Sequence, residues 1–183
     1  MEQKKYLISI IIGTRPEAIK LAPVIIKLQE ISELKVRIIL TGQHKEMVLD
    51  VIDLFDIKYD VNINLMSQKQ SLTHITCLSL KSLDEEYSKN KPDLVLVQGD
   101  TSSAFSGALA AFYKKVPIFH VEAGLRTDNL FSPYPEEANR RLISQIASVN
   151  FAPTIVAKEN LFKSNVPGYI YITGNTVIDS LLF

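Results

Sequence analysis

The sequence predicts an α/β protein built on a doubly wound parallel sheet. Three observations carry that expectation. Short β-branched runs alternate with longer stretches of helical periodicity from one end of the chain to the other. Residues 6–12 and 94–97 are apolar at nearly every position, as strands covered on both faces are. Glycine, proline or a small polar residue comes within three residues of the end of each run, where a strand must give way to a helix.

Taken in order, Tyr6–Ile12 reads as a buried strand ended by Gly13. Pro16 permits a helix start, and Ile19, Val24, Ile25, Leu28 and Ile31 supply its apolar stripe. Residues 36–40 form the second strand, stopped at Thr41-Gly42, and a helix through Met47, Val48, Val51, Ile52 and Phe55 follows. Residues 61–65 alternate as a short strand. A long helix from Ser71 to about Tyr87 buries Leu72, Ile75, Leu80 and Leu83, with Cys77 as a small core residue. Residues 94–97 are the most hydrophobic strand, and the alanine-rich helix 104–113 suits close packing on a sheet. Strand 117–121, helix 137–146, strand Val149–Ala152, helix 154–162 and strand Tyr169–Ile172 continue the alternation. Thr173-Gly174-Asn175-Thr176 then turns into a helix that stops on Leu181-Leu182-Phe183 without a C-cap. That ending predicts a chain cut from something longer; the alternative is a short terminal helix packed on the sheet.

Composition narrows the function classes. Twenty basic residues balance twenty acidic ones, which argues against a nucleic-acid or anionic-membrane partner. No apolar stretch approaches the roughly 20 residues that span a bilayer, and the opening Met1-Glu2-Gln3-Lys4-Lys5 does not read as a signal peptide. A single cysteine excludes an internal disulfide framework and a cysteine zinc cluster. The expectation is a cytoplasmic protein that needs no metal and no cofactor.

Chemistry-bearing residues gather where strands end. Gly13-Thr14-Arg15-Pro16-Glu17-Ala18-Ile19-Lys20 matches neither the dinucleotide nor the P-loop fingerprint. What remains is an anion site of helix-start N–H groups, Arg15 and Lys20, or simply a solvated arginine. Arg15 precedes proline, which biases it to an extended backbone aimed away from the helix. Gln43 and His44 follow the second strand, where a capping turn explains them equally well. Asp100 reads either as an N-cap or as a functional acid. His120 and Glu122 are two apart on one strand and so share a face, and Ala123-Gly124 leaves the backbone open to a ligand. Arg126 is the structural partner expected for Glu122. Glu136 and Glu137 open a helix and stand four residues before Arg140 and Arg141. Each carboxylate alone has a structural explanation, but three of them with Arg15 at one sheet edge point to a site.

Seven segments together carry a resemblance. They are Gly13-Thr14-Arg15-Pro16-Glu17, Thr41-Gly42-Gln43-His44, Gly99-Asp100-Thr101, His120-Val121-Glu122-Ala123-Gly124-Leu125-Arg126-Thr127, Ser132-Pro133-Tyr134-Pro135-Glu136-Glu137-Ala138-Asn139-Arg140, Phe151-Ala152-Pro153-Thr154 and Thr173-Gly174-Asn175-Thr176-Val177-Ile178-Asp179. In that order they resemble the non-hydrolysing bacterial UDP-N-acetylglucosamine 2-epimerases, from about residue 6 onward. The resemblance implies a Rossmann-like domain that is the first half of a glycosyltransferase-B type fold. Residues 1–172 would form that domain, and 173–183 the start of a segment crossing to a C-terminal domain absent from this sequence. The family interconverts UDP-N-acetylglucosamine and UDP-N-acetylmannosamine for cell-surface polysaccharide synthesis, through loss and re-addition of UDP around a 2-acetamidoglucal.

Motif by motif, the resemblance implies Asp100, Glu122 and Glu136 as the acid–base set, with their individual roles open. It implies Arg15, Lys20, Arg126 and Asn139 as substrate-binding residues, and clustered carboxylates whose pKa values are pushed apart. Gln43, His44 and Glu46 match a region where bacterial members bind a second UDP-N-acetylglucosamine as an activator. Family members are commonly homodimers. Gln98 departs from the histidine many relatives carry before Gly-Asp-Thr. A glycosyltransferase half and a non-catalytic nucleotide-sugar-binding fragment remain the alternatives, since fold alone does not fix function.

Overall fold

A computed structural model describes residues 5–42, 45–64, 71–127 and 129–182, with the side chains of residues 45 and 46 outside that description. Seven strands, β1 (Tyr6–Ile12), β2 (Leu34–Leu40), β3 (Val61–Asn62), β4 (Leu94–Gln98), β5 (Ile118–Val121), β6 (Val149–Ala152) and β7 (Tyr169–Ile172), form one sheet in the order β3-β2-β1-β4-β5-β6-β7. Every pairing is parallel. The helices are α1 (Arg15–Gln29), α2 (Lys45–Leu54), α3 (Leu72–Lys89), α4 (Ser102–Tyr113), α5 (Glu136–Ile146), α6 (Ile155–Lys163) and the single-turn α7 (Val177–Ser180).

The alternation of side chains along each strand divides the core in two. Ile8, Ile10 and Ile12 of β1 turn to one face and pack with Leu21, Ala22 and Ile25 of α1 and Val48 and Ile52 of α2. Ile11 turns to the other, where it meets Ala104 and Ala108 of α4, Leu83 and Tyr87 of α3 and Ile143 of α5. The small residues of α4 let it lie close to the sheet: a Cβ on Gly107 would stand 2.9 Å from Ile11 Cγ1. Coverage on both faces explains the near-continuous apolar runs of the central strands β1 and β4.

β1 is flanked by β2 and β4, so the strand order reverses direction there. The crevice beyond the carboxyl ends of β1 and β4 is the ligand position of an open α/β sheet.

Several expectations are corrected at the margins. β2 begins at Leu34, two residues earlier than the apolar run, and β3 is only Val61–Asn62. Ile31 is exposed because α1 ends at Gln29 with Glu30 as its C-cap. Met47 is exposed beside the buried Val48. Cys77 is exposed, not a core residue: α3 buries Ser79, Leu83 and Tyr87, and a position two before Ser79 lies about 200° around the helix. Leu72 is exposed as well, at the start of α3 on the rim of the crevice.

Candidate active site

The β1–α1 turn is built around a buried carboxylate. Thr14 is the N-cap of α1, and Glu17 three residues on reaches back to it. Glu17 Oε2 accepts from Gly13 N at 2.9 Å, Thr14 N at 2.6 Å and Thr14 Oγ1 at 2.9 Å. Its Oε1 accepts from Thr101 Oγ1 at 2.7 Å, which ties this turn to the one after β4. Burial pushes the Glu17 pKa up, against the four donors that pull it down. Beneath the turn, a Cβ on Gly13 would fall 2.1 Å from Ser103 Oγ, so only glycine fits.

That capping overrides the pre-proline preference at Arg15. Arg15 is the first residue of α1, helical and not extended, with an exposed side chain that does not line the crevice. Lys20, beyond the first turn, does: its Nζ lies 2.5 Å from Glu122 Oε2.

After β4, the cap is Thr101 and not Asp100; Thr101 Oγ1 accepts from Ala104 N at 3.0 Å. Asp100 is thereby left for other work. Arg140 Nη2 stands 2.6 Å from its Oδ2, and Asn139 Nδ2 donates to its backbone carbonyl at 2.9 Å. Burial raises the Asp100 pKa; Arg140 opposes this, while Glu136 and Glu122 add to it. Asn139 is buried behind Asp100 and does not line the crevice.

Glu122 follows β5 with φ +61°, so strand alternation does not extend to it and the shared face with His120 is no guide. Three donors hold its carboxylate: Lys20 Nζ, Gln98 Nε2 and, at 2.9 Å, Asn175 Nδ2. Arg126 is not its partner. Arg126 Nη1 donates to the carbonyl of Leu125 at 2.8 Å, burial lowers its pKa, and it is not among the crevice residues. His120 is fully buried with a ring nitrogen 2.7 Å from the carbonyl of Gly99, and burial drops its pKa to about 4. It braces the turn before Asp100 as a neutral side chain.

Gly124 serves packing, contrary to the ligand approach expected of it. A Cβ there would meet the carbonyl oxygen of Ala157 in α6 at 2.2 Å. Glu136 opens α5 and faces the crevice, whereas Glu137 is buried against Arg140 and Arg141. The anticipated Glu137–Arg141 pair is present; Arg140 turns instead to Asp100 and Glu137.

These side chains enclose a cavity of about 470 Å³ at the sheet's switch point. Glu17, Lys20, Asp100, Glu122 and Glu136 all line it. Four carboxyls around one lysine can take and give protons on a bound ligand while a cation supports developing negative charge. No group of three or more His, Cys, Asp or Glu is placed to hold a metal among the described residues. Gln43, His44 and the Glu46 side chain lie outside the described residues. Glu17, Gln98 and Asn175 are not among the expected site residues; the Thr14-to-Glu17 capping spacing, the departure at Gln98 and the segment 173–179 are the sequence signals that bear on them.

A sequence-family model described as UDP-N-acetylglucosamine 2-epimerase matches residues 26–183. The chain belongs to the UDP-N-acetylglucosamine 2-epimerase family. Among the relatives of this epimerase-family chain, the UDP-N-acetylglucosamine 2-epimerase of Neisseria meningitidis is 50% identical over 173 residues, 94% of this chain and 46% of the relative. That of Bacillus subtilis is 48% identical over 179 residues, 97% of this chain and 47% of the relative. The chain thus spans about half the length of the curated relatives it matches. A crystal structure of UDP-GlcNAc 2-epimerase from Neisseria meningitidis bound to UDP-GlcNAc superposes with a TM-score of 0.92 at 49% identity, over 97% of this chain and 48% of that one. A lipopolysaccharide outer core galactosyltransferase shares the fold at 14% identity, with a TM-score of 0.64 over 93% of this chain and 45% of the other. The Rossmann-like expectation therefore holds, as does the likeness to half of a glycosyltransferase of this architecture. No helix among the described residues is long and apolar enough to cross a membrane.

Proposed function

We propose that this chain supplies the acid–base half of an enzyme that interconverts UDP-N-acetylglucosamine and UDP-N-acetylmannosamine. The observation that carries the reading is the convergence of Asp100, Glu122 and Glu136 with Lys20 in one cavity. In the proposed reaction a carboxylate takes the C2 proton and the C1–O bond breaks, its electron pair leaving with the diphosphate. A C1=C2 double bond remains, that of 2-acetamidoglucal. Return of a proton to the opposite face of C2 and of the diphosphate to C1 completes the epimerisation. Glu122, which accepts from three donors, suits the proton acceptor. Asp100, whose pKa burial raises, suits the proton donor. Lys20 and Arg140 supply the nearby positive charge.

In the same reading residues 1–172 are the N-terminal domain, and 173–183 begin the crossing to a second domain that completes the nucleotide pocket. A homodimer and a cytoplasmic location belong to it too. Arg15 keeps a place in the proposal as an exposed cation near the cavity mouth, reached when the second domain closes. Arg126 and Asn139 act at one remove, Asn139 by holding the Asp100 carbonyl.

The test joins the complementary half of the Bacillus subtilis relative after Phe183 and supplies UDP-N-acetylglucosamine in deuterated water. We expect UDP-N-acetylmannosamine carrying deuterium at C2, and no turnover by the 183 residues alone. Asp100→Asn, Glu122→Gln and Glu136→Gln should each lower kcat by roughly 10²- to 10⁴-fold while circular dichroism stays unchanged. Turnover retained by all three variants would remove the proposed site.

A further inference from the structure

The turn after β7 reaches a carboxylate that lines the cavity. Gly174 adopts φ +79°, and Asn175 beside it directs its amide at Glu122, with Nδ2 donating to Oε1 at 2.9 Å. The other end of that amide is also held, because Asn175 Oδ1 accepts from Val177 N at 3.1 Å. One turn on, Ser180 Oγ of α7 donates to the carbonyl of Ile19 at 2.5 Å. Ile19 immediately precedes Lys20 on α1, and Lys20 is a second donor to Glu122. The post-β7 segment therefore braces the same carboxylate twice: directly through Asn175 and indirectly through the helix that carries Lys20.

We propose that Asn175 is a positioning residue for Glu122. Lys20 and Gln98 both bind Oε2. Asn175 alone among the hydrogen bonds of the described residues binds Oε1. Two donors on one oxygen leave the carboxylate free to swing about the bond to its Cδ; a third on the other oxygen fixes its plane. Glu122 already leaves β5 through a left-handed backbone, so its direction is set by these side-chain partners and not by a strand. A proton acceptor must hold its lone pair on line with the reacting C–H bond, and small misplacements are costly in rate. The inference rests on the reading of Glu122 as a proton-transferring group.

Two experiments test it separately from that reading. In the 183-residue chain, the side-chain amide resonance of Asn175 should move with pH as Glu122 ionises, and should lose that response in Glu122→Gln. An amide that ignores pH, or responds equally in Glu122→Gln, overturns the contact. In the fused protein, Asn175→Leu should lower kcat roughly ten- to a hundredfold with KM within about twofold. Asn175→Asp sets a second carboxyl beside Oε1; the pair then shares a proton, and activity should recover toward acidic pH, which Asn175→Leu does not do. An unchanged kcat, or a loss confined to KM, overturns the positioning role. Should the unmodified fusion show no epimerisation, the functional reading fails while the amide titration still decides the contact.

Discussion

At the scale of single residues, the site is governed by how much each carboxyl is buried and what donates to it. Glu17 is 1% exposed and satisfied by four donors, yet burial dominates and raises its pKa. A carboxyl whose folded pKa lies above its unfolded value binds its proton more tightly in the native state. Its contribution to stability is complete below about pH 4.5 and is lost as pH rises through the folded pKa. Glu17→Gln removes that titration, so the variant should gain on the parent as pH rises from 4 to 7. Urea unfolding at a series of pH values measures the difference. A gap that stays constant across the range would mean Glu17 ionises as easily in the fold as out of it. Asp100 carries the same sign with a smaller degree of burial, and Arg140 offsets part of it.

At the scale of elements, two glycines with similar backbones separate conformational strain from packing. Gly174 has φ +79° with open space where a Cβ would be, whereas Gly124 has φ +92° with the Ala157 carbonyl at 2.2 Å. Gly174→Ala should cost about 1 kcal/mol, the left-handed penalty alone. Gly124→Ala should cost about 3 kcal/mol, since α6 must also be pushed off the sheet. Denaturant midpoints compare the two directly, and equal losses would contradict the close approach of α6. The elements themselves were legible because β-branched runs and apolar stripes are local patterns. The sheet's ligand edge followed from them. Less legible was which residue of a turn does what. Asp100 and Thr101 are both good caps by type, and only the Arg140 contact, forty residues away, decides that Thr101 takes the role. Arg15 looked extended before Pro16, but the hydrogen bonds of Glu17 outweigh that local preference. Asn175 reaches Glu122 across 53 positions, a contact with no local signature.

At the scale of the whole molecule, the site rests on a polar layer sealed beneath the crevice, and that layer makes global stability depend on pH. His120 belongs to it: burial drops its pKa to about 4, and it faces the Gly99 carbonyl with Asn150, Arg126 and Arg140 nearby. The two arginines add to the depression of its pKa, while the carbonyl and Asn150 oppose it. A base with a depressed folded pKa gives stability that is complete above its unfolded value of about 6.5 and lost as pH falls toward the folded one. The full span corresponds to about 3 kcal/mol at roughly 1.4 kcal/mol per pH unit. Glu17 and Asp100 run the other way, taking protons more readily in the native state as pH falls. The unfolding free energy of the parent should therefore decline below pH 6.5 less steeply than His120 alone dictates. His120→Asn removes one side of that balance, so whatever fixed loss the substitution brings, the variant should hold or gain stability between pH 6.5 and 4 while the parent declines relative to it. Parallel profiles for the two proteins would show that His120 takes up its proton in the fold as readily as in the unfolded chain, and the sealed layer would then be open to water.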